Sequence, residues 1–300
     1  MLAWHHASMD SVLPEAMSVA LPETIRLWWP AAARDLPWRA SRDPWEVLVS
    51  EVMSQQTQVD RVVPKWLAFV ERFPTVESAA AARAGELIEM WDGLGYNRRA
   101  LLLHKCAVVV VDDHGGLFPD DLDTLLGLPG VGPYTARALL AFAFERDVAV
   151  VDTNVGRVLA RVAGRQLGPA EVQATASTLV AKGSGWEWNQ AFLDFGAMVC
   201  SKRTPSCADC AIRHFCGWGG TGPDPAVGSA GVSVAQSPFS GSDRQGRGRL
   251  VAALRSGPLS RAEALKTLGF GDDEARSERV LSGLLRDEMI SCDGFVVELP

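Results

Sequence analysis

Apolar residues along most of this chain return with the period of a helix and not with the alternation of a strand. Between Thr57 and Arg72, the residues Val59, Val62, Val63, Trp66, Leu67 and Val70 share one helical face. Glu86–Trp91, Arg99–Val111, Tyr134–Phe144, Val155–Val162, Glu171–Val180 and Asn189–Val199 read similarly. The stretch 22–216 is therefore expected to be a mostly α bundle of short helices. Residues 1–21 read as a loosely ordered arm. Residues 217–246 are rich in Gly, Ser and Pro and read as a flexible linker. Residues 247–300 form a different pattern. Gly248–Ser256, Ser260–Leu268 and Asp273–Asp287 read as helices, with Ser260 as a cap and Glu263 three residues on. The apolar ending MISCDGFVVELP contains the hairpin signal Asp293-Gly294. Three helices and a β-ribbon predict a small winged-helix-like α+β module. Its near-neutral charge and long linker make it a tethered appendage that the core can do without.

Composition narrows the class. The chain is 47% apolar, which is enough for a large core and excludes disorder of the whole. Its longest aliphatic runs, such as Ala107–Val111 and Val148–Val151, fall far short of the roughly 20 residues of a membrane span. The first residues lack the basic and apolar regions of a secretory signal, so a cytoplasmic protein is expected. The net charge of −7 argues against a generic nucleic-acid coat protein but leaves room for a local basic face.

The cysteines are more informative. Cys200, Cys207, Cys210 and Cys216 follow the spacing C-x6-C-x2-C-x5-C, while Cys106 and Cys292 stand apart. Four clustered thiols suit an iron–sulfur cluster or a zinc site. Structural zinc usually shows two short C-x2-C knuckles, whereas here there is one, flanked by single cysteines. That compact wrap favours the larger cluster over one ion. Lys202, Arg203, Arg213 and His214 would add local positive charge.

Three further segments carry candidate chemistry. In LGLPGVGPYTARALLAF, Leu126–Phe142, a helix end, Gly130-Val131-Gly132 and a helix start at Pro133 make a helix-hairpin-helix. Its N–H groups suit a phosphate, although an ordinary helix–helix turn looks similar. Asp152 precedes a helix, as an N-cap or as a carboxylate fixed at a pocket edge. Glu51 lies on an apolar helix, either at an edge reaching solvent or partly desolvated with its pKa raised, as a general acid requires. Gln55 and Gln56 form a polar pair at that helix's end.

Taken in order, Leu36-Pro37-Trp38-Arg39, Ser50-Glu51-Val52-Met53, Gln55-Gln56-Thr57-Gln58-Val59, Gly93-Leu94-Gly95-Tyr96, Leu128–Ala136, Val151–Val155 and the cysteine loop carry a resemblance. From Pro22 to Cys216 the chain resembles the helix-hairpin-helix DNA glycosylases with an iron–sulfur loop, and within them the adenine-specific, MutY-type family. The resemblance implies a two-lobed helical core, a [4Fe-4S] cluster on the four cysteines, and base excision repair by a monomer on double-stranded DNA. The implied reaction removes adenine mispaired with guanine or 8-oxoguanine. It implies that Glu51 protonates the base and Asp152 stabilises the sugar cation, with Tyr134 and Asn154 orienting them. Leu36, Trp38 and Arg39 would line the adenine pocket. Gln55 and Tyr96 would fill the gap in the duplex, Gln56 would contact DNA beside them, Gly130, Val131 and Gly132 would hold phosphate, and Lys202 and Arg203 would add backbone contacts.

The sister family, endonuclease III, carries Lys where this chain has Tyr134 and His where it has Asn154, and lacks the Glu found here as Glu51. Without that amine no Schiff base forms with the sugar, which implies a glycosylase without lyase activity. A non-catalytic DNA-binding protein on the same scaffold would have no reason to keep both Glu51 and Asp152. A transcription or excision-repair role for the last module alone is a further alternative. Two departures from the family stand out. Ser54 replaces a large apolar residue before Gln-Gln. The usual C-terminal 8-oxoguanine reader, similar to a nucleotide-hydrolase fold, has no counterpart.

Overall fold

The computed structural model describes residues 12–229 and 238–300. In chain order the helices are α1 (Glu15–Trp28), α2 (Pro44–Ser54), α3 (Val59–Arg72), α4 (Val76–Ala80), α5 (Ala84–Met90), α6 (Arg98–His114) and α7 (Leu122–Gly127). They continue with α8 (Pro133–Phe142), α9 (Thr153–Ala163), α10 (Pro169–Leu179), α11 (Gly185–Met198), α12 (Asp243–Leu254), α13 (Arg261–Thr267) and α14 (Glu274–Arg286). Short strands β1 (Leu259–Ser260), β2 (Ser291–Cys292) and β3 (Val296–Glu298) belong to the last module. The mostly α fold expected from the periodicity is observed. No helix among the described residues is long and apolar enough to cross a membrane.

The chain divides into two compact units. One comprises 1–35 and 137–234, the other 36–136 and 235–300. In the first, α1, α9, α10 and α11 close over Leu21, Ile25, Val158, Leu159, Leu179, Phe192 and Phe195. Fully buried Asp194 on α11 accepts from Trp29 Nε1 at 3.0 Å and Arg34 Nε at 2.5 Å, pinning the end of α1. Residues 12–21 are thus no loose arm. Leu13 and Leu21 are buried, and α1 starts at Glu15, because this segment supplies an apolar face that α10 and α11 need.

In the second unit, α2–α7 pack round an aromatic cluster. Phe69 lies 5.1 Å from Phe73 and 6.0 Å from Trp91, and Trp45 Nε1 donates to the Phe73 carbonyl at 2.9 Å. The C-terminal module belongs to this unit. Helices α12–α14 carry a sheet of order β1-β3-β2, both pairings antiparallel, with Val297 opposite Leu259 and Cys292. The Ser260–Glu263 capping box starts α13, as the sequence led us to expect.

Two boundaries differ from the sequence reading. Residues 217–229 do not form a flexible linker. They fold back on the first unit, burying Ala226 and Ser229 and pairing Asp224 with Arg161 at 2.7 Å. The module is not simply tethered either. Arg255 donates to the Ile88 carbonyl at 3.2 Å and to Asp92 at 2.5 Å. Lys105 meets Glu288 at 2.7 Å, and the Gly85 N–H donates to the Pro300 carbonyl at 2.5 Å. A Cβ at Gly85 would stand 2.6 Å from that carbonyl oxygen, so glycine is needed for the approach. The rest of the expected linker is described from Pro238 onward, and α12 already begins at Asp243. The intervening residues 230–237 lie outside the described part.

Candidate active site and cysteine-rich loop

Glu51 projects from α2, whose N-terminus is capped by Asp43 accepting from the N–H groups of Trp45 and Glu46. Ser50, Val52 and Met53 around it are buried, and Glu51 itself is half-buried. Leu36 is buried and leads into a one-turn 3-10 helix, Pro37–Ala40. Trp38 on that turn stands edge-on to Trp66 at 5.9 Å, with Arg39 beside it, half-buried. All of these belong to the second unit.

The end of α2 is organised by a residue that the sequence reading passed over. Arg99, 8% exposed, donates to the carbonyls of Val52 (2.7 Å), Met53 (3.0 Å) and Gln55 (2.6 Å). Its other nitrogen donates to Thr57 Oγ1, Leu94 O and Gly95 O, each at 3.1 Å. One guanidinium thereby joins the helix end to the Gly93–Tyr96 turn. On that frame Gln56 and Tyr96 are held in left-handed backbone conformations, φ 55° and 47°, which cost a non-glycine residue about 1 kcal/mol or more. Tyr96 is 44% exposed. Burial lowers the Arg99 pKa to about 10.

The hairpin between α7 and α8 has the geometry that the glycine pattern predicts. Gly130 has φ 77°, and a Cβ there would meet Leu102 Cβ at 2.9 Å. Val131 is buried, and Gly132 has open space where a Cβ would stand. Tyr134, half-buried, lies in the first turn of α8. Gln55, Arg99, Leu102, Gly130 and Val131 line one small pocket, so the hairpin and the end of α2 are neighbours.

Asp152 belongs to the first unit and is the N-cap of α9. Oδ1 accepts from the backbone N–H of Asn154 and Val155, each at 2.8 Å, and Oδ2 accepts from Asn154 Nδ2 at 2.7 Å. Asp152 is therefore the helix N-cap, with its carboxylate held by N–H groups. Burial pushes the carboxyl above its ordinary value, against the pull of these donors. Asn154 is itself held, its Oδ1 accepting from Arg157 Nη2 at 2.7 Å. Arg157 also donates to the carbonyls of Gly196 (2.6 Å) and Cys200 (2.7 Å). Upstream, buried Asn189 accepts from Val150 N–H at 2.7 Å and donates to the Val148 and Gly185 carbonyls, which fixes the extended approach to Asp152. A Cβ at Gly196 would come within 2.7 Å of Asn154 Cβ, so α11 needs glycine there.

Cys200, Cys207, Cys210 and Cys216 line one pocket with Val158, Val162, Val199 and Ile212. Among the described residues no three His, Cys, Asp or Glu side chains close round a single metal ion. Four thiols lining one apolar pocket are a donor set that would hold an iron–sulfur cluster. Buried Arg161 braces the loop. It donates to Cys200 Sγ at 3.2 Å and to the Ser201 carbonyl at 2.8 Å, pairs with Asp224, and stacks 4.6 Å from the Trp218 ring. The Gly219 N–H donates to Cys216 Sγ at 3.3 Å. Lys202 and Arg203 are exposed on this loop. Cys106 is buried in the other unit, where burial pushes its thiol up to about 12.

Arg99, Arg157, Arg161 and Asn189 thus complete what the motifs began. A signal for two of them was present: Arg157 and Arg161 stand four apart among the apolar residues of α9, and each is at most 5% exposed.

These features define a helix-hairpin-helix protein of base excision repair. The chain matches the family model "HhH-GPD superfamily base excision DNA repair protein" over residues 49–182. It is 39% identical to the adenine DNA glycosylase of Mycobacterium tuberculosis (strain ATCC 25618 / H37Rv), over 94% of this chain and 95% of that one. It is 41% identical to that of Mycolicibacterium smegmatis, over 91% and 93%. The human adenine DNA glycosylase is 37% identical over 63% of this chain and 37% of its own length. Among solved structures, a thermostable thymine-DNA glycosylase superposes with TM-score 0.61 at 30% identity, covering 67% of this chain and 95% of that one. A trapped endonuclease III–DNA covalent intermediate gives 0.60 at 27%, covering 66% and 93%. The chain belongs to the adenine DNA glycosylase family.

Proposed function

We propose that the protein hydrolyses the N-glycosidic bond of adenine mispaired with guanine or 8-oxoguanine in double-stranded DNA. The observation that carries this reading is Asp152, a carboxylate whose two oxygens are fixed by three N–H donors backed by Arg157. Such a group needs no reorganisation when positive charge develops on a sugar. The target base must leave the stack before chemistry, as in other enzymes that act on bases. Glu51 then donates a proton to adenine N7, turning the base into a better leaving group. Asp152 stabilises the oxocarbenium-like sugar, by charge or through a transient covalent bond, until water adds at C1′ and loses a proton to leave the hydroxyl of the abasic site, as paired carboxylates do in glycoside hydrolysis. Tyr134 and Asn154 orient that pair. Leu36, Trp38 and Arg39 line the adenine pocket, Gln55 and Tyr96 enter the gap with Gln56 beside them on the DNA, and the Gly130–Gly132 hairpin grips phosphate.

Tyr134 provides no amine, so the reaction stops at the abasic site. Cys200, Cys207, Cys210 and Cys216 would hold a [4Fe-4S] cluster. When bound, that group ties the loop into a rigid support that presents Lys202 and Arg203 to DNA. The test is a panel of duplexes carrying A·8-oxoG, A·G or thymine glycol, with single-turnover release of the free base as the readout. Adenine release from the first two alone is expected. Release from thymine glycol, with strand scission, would move the assignment to the endonuclease III type.

A further inference from the structure

Asp152 is carried by an extended segment, Val148–Val151, that has no strand beside it. Among the described residues every strand belongs to the C-terminal module. The segment nonetheless runs deep in the first unit, with Ala149 and Val150 buried. Its buried main-chain groups therefore need partners from elsewhere.

Two side chains supply them. On α11, Asn189 Oδ1 accepts from the Val150 N–H at 2.7 Å, and Nδ2 donates to the Val148 carbonyl at 2.8 Å. On α10, Gln173 Nε2 donates to the Ala149 carbonyl at 3.1 Å. An asparagine amide offers an acceptor and a donor side by side, as the edge of a neighbouring strand does. Asn189 is itself pinned. It is 0% exposed, and Nδ2 also donates to the Gly185 carbonyl of its own helix at 2.7 Å.

Helix α11 meets the chain beyond Asp152 as well. Gly196 lies seven residues after Asn189, about two helical turns, and so on the same face of α11. A Cβ at Gly196 would stand 2.7 Å from Asn154 Cβ, and its carbonyl accepts from Arg157 Nη2 at 2.6 Å. One face of one helix thus holds the chain on both sides of Asp152. The N-cap bonds fix the carboxylate only with respect to α9. Contacts with α10 and α11 fix it with respect to the rest of the unit.

We propose that Asn189 and Gln173 are positioning residues of the excision reaction, standing in for an absent neighbouring strand and setting where Asp152 meets the sugar. The inference rests on the role of Asp152 in the function proposed above. Asn189 has no surface left for substrate, so its effect passes through Asp152.

The test uses the full-length protein in saturating excess over an A·8-oxoG duplex, with two variants. Asn189→Leu keeps the volume and removes all three bonds. Gln173→Met keeps the length and removes the bond to Ala149, and its half-buried position spares the fold should the first variant not fold. The single-turnover rate constant at saturation does not depend on the fraction of enzyme that is folded, so it separates positioning from stability. It should fall on the order of 10²-fold in Asn189→Leu, the scale of a roughly 1 Å misplacement. In Gln173→Met it should fall roughly three- to tenfold, the scale of one hydrogen bond. Binding to a duplex whose adenosine carries a 2′-fluorine and resists base loss should stay within about twofold of wild type. In the Asp152→Asn background, Gln173→Met should change what excision remains by less than about twofold. A wild-type rate constant in either variant would overturn the proposal. An undiminished effect of Gln173→Met in the Asp152→Asn background would overturn it too, by placing the action away from Asp152. A wild type that releases no adenine would instead refute the proposed function.

Discussion

Arg99→Lys is the sharpest structural perturbation that the molecule offers. Six hydrogen bonds leave one guanidinium, five of them to main-chain carbonyls and one to Thr57 Oγ1. The six acceptors share the four N–H groups of two terminal nitrogens, whereas lysine offers one nitrogen of shorter reach, so the three acceptors of one terminal nitrogen lose their partner. At about 1 kcal/mol net for each, the loss is about 3 kcal/mol. For a protein of this size that corresponds to a melting temperature lower by roughly 6–12 °C. Charge alone does not rescue the site. Burial lowers Arg99 to about 10, which still leaves it a cation at neutral pH, whereas lysine in the same place is driven further toward the neutral amine. Thermal unfolding followed by far-UV circular dichroism, beside the exposed control Arg279→Lys, measures the effect. Because Gln56 and Tyr96 lose the frame that holds their left-handed conformations, adenine excision should fall in parallel. A shift of under about 2 °C would refute the idea that Arg99 organises the end of α2.

Other outcomes follow from the same geometry. Asp152→Asn keeps an equally good N-cap. Burial raises the Asp152 pKa, so ionisation costs the folded state stability as pH rises, and the Asn variant should melt no lower than wild type at neutral pH while excision falls roughly 10²-fold or more. On the wild type, the acid limb of the single-turnover pH profile should lie above the ordinary carboxylate range, because the raised carboxyl takes up its proton earlier. Cys106→Ala should leave iron content unchanged, and native Cys106 should resist alkylation, its thiol being pushed up to about 12. Asp224→Asn removes the charge paired with an arginine whose side chain is 2% exposed, at a cost of about 1–3 kcal/mol. Visible absorbance of the variant should fade faster in air than that of wild type.

The helices were legible because their apolar faces are periodic. The Ser260 and Asp152 caps were legible because a cap is a local signal within four residues. What stayed hidden depends on distant partners. The segment 217–229 has the composition of a linker, yet Asp224 and Ala226 find Arg161 and a core in the first unit. The module's docking depends on Arg255 reaching a helix more than 160 positions earlier in the chain. Arg99 and Asn189 act on main-chain carbonyls and amides, and no sequence motif marks such acceptors. The first helix was missed because its interior Pro22 resembles a boundary, although proline is accommodated inside α1.

The central claim, that Glu51 and Asp152 remove adenine by hydrolysis, meets its most direct test in one comparison. Wild type and Glu51→Gln are incubated in excess over an A·8-oxoG duplex, and released adenine is quantified over time, with borohydride present in a parallel reaction. Adenine release by the wild type is expected, lowered by roughly 10²–10⁴-fold in the variant with DNA binding intact and with no covalent complex trapped. Excision by Glu51→Gln at the wild-type rate, or efficient trapping of the wild type on DNA, would contradict the account.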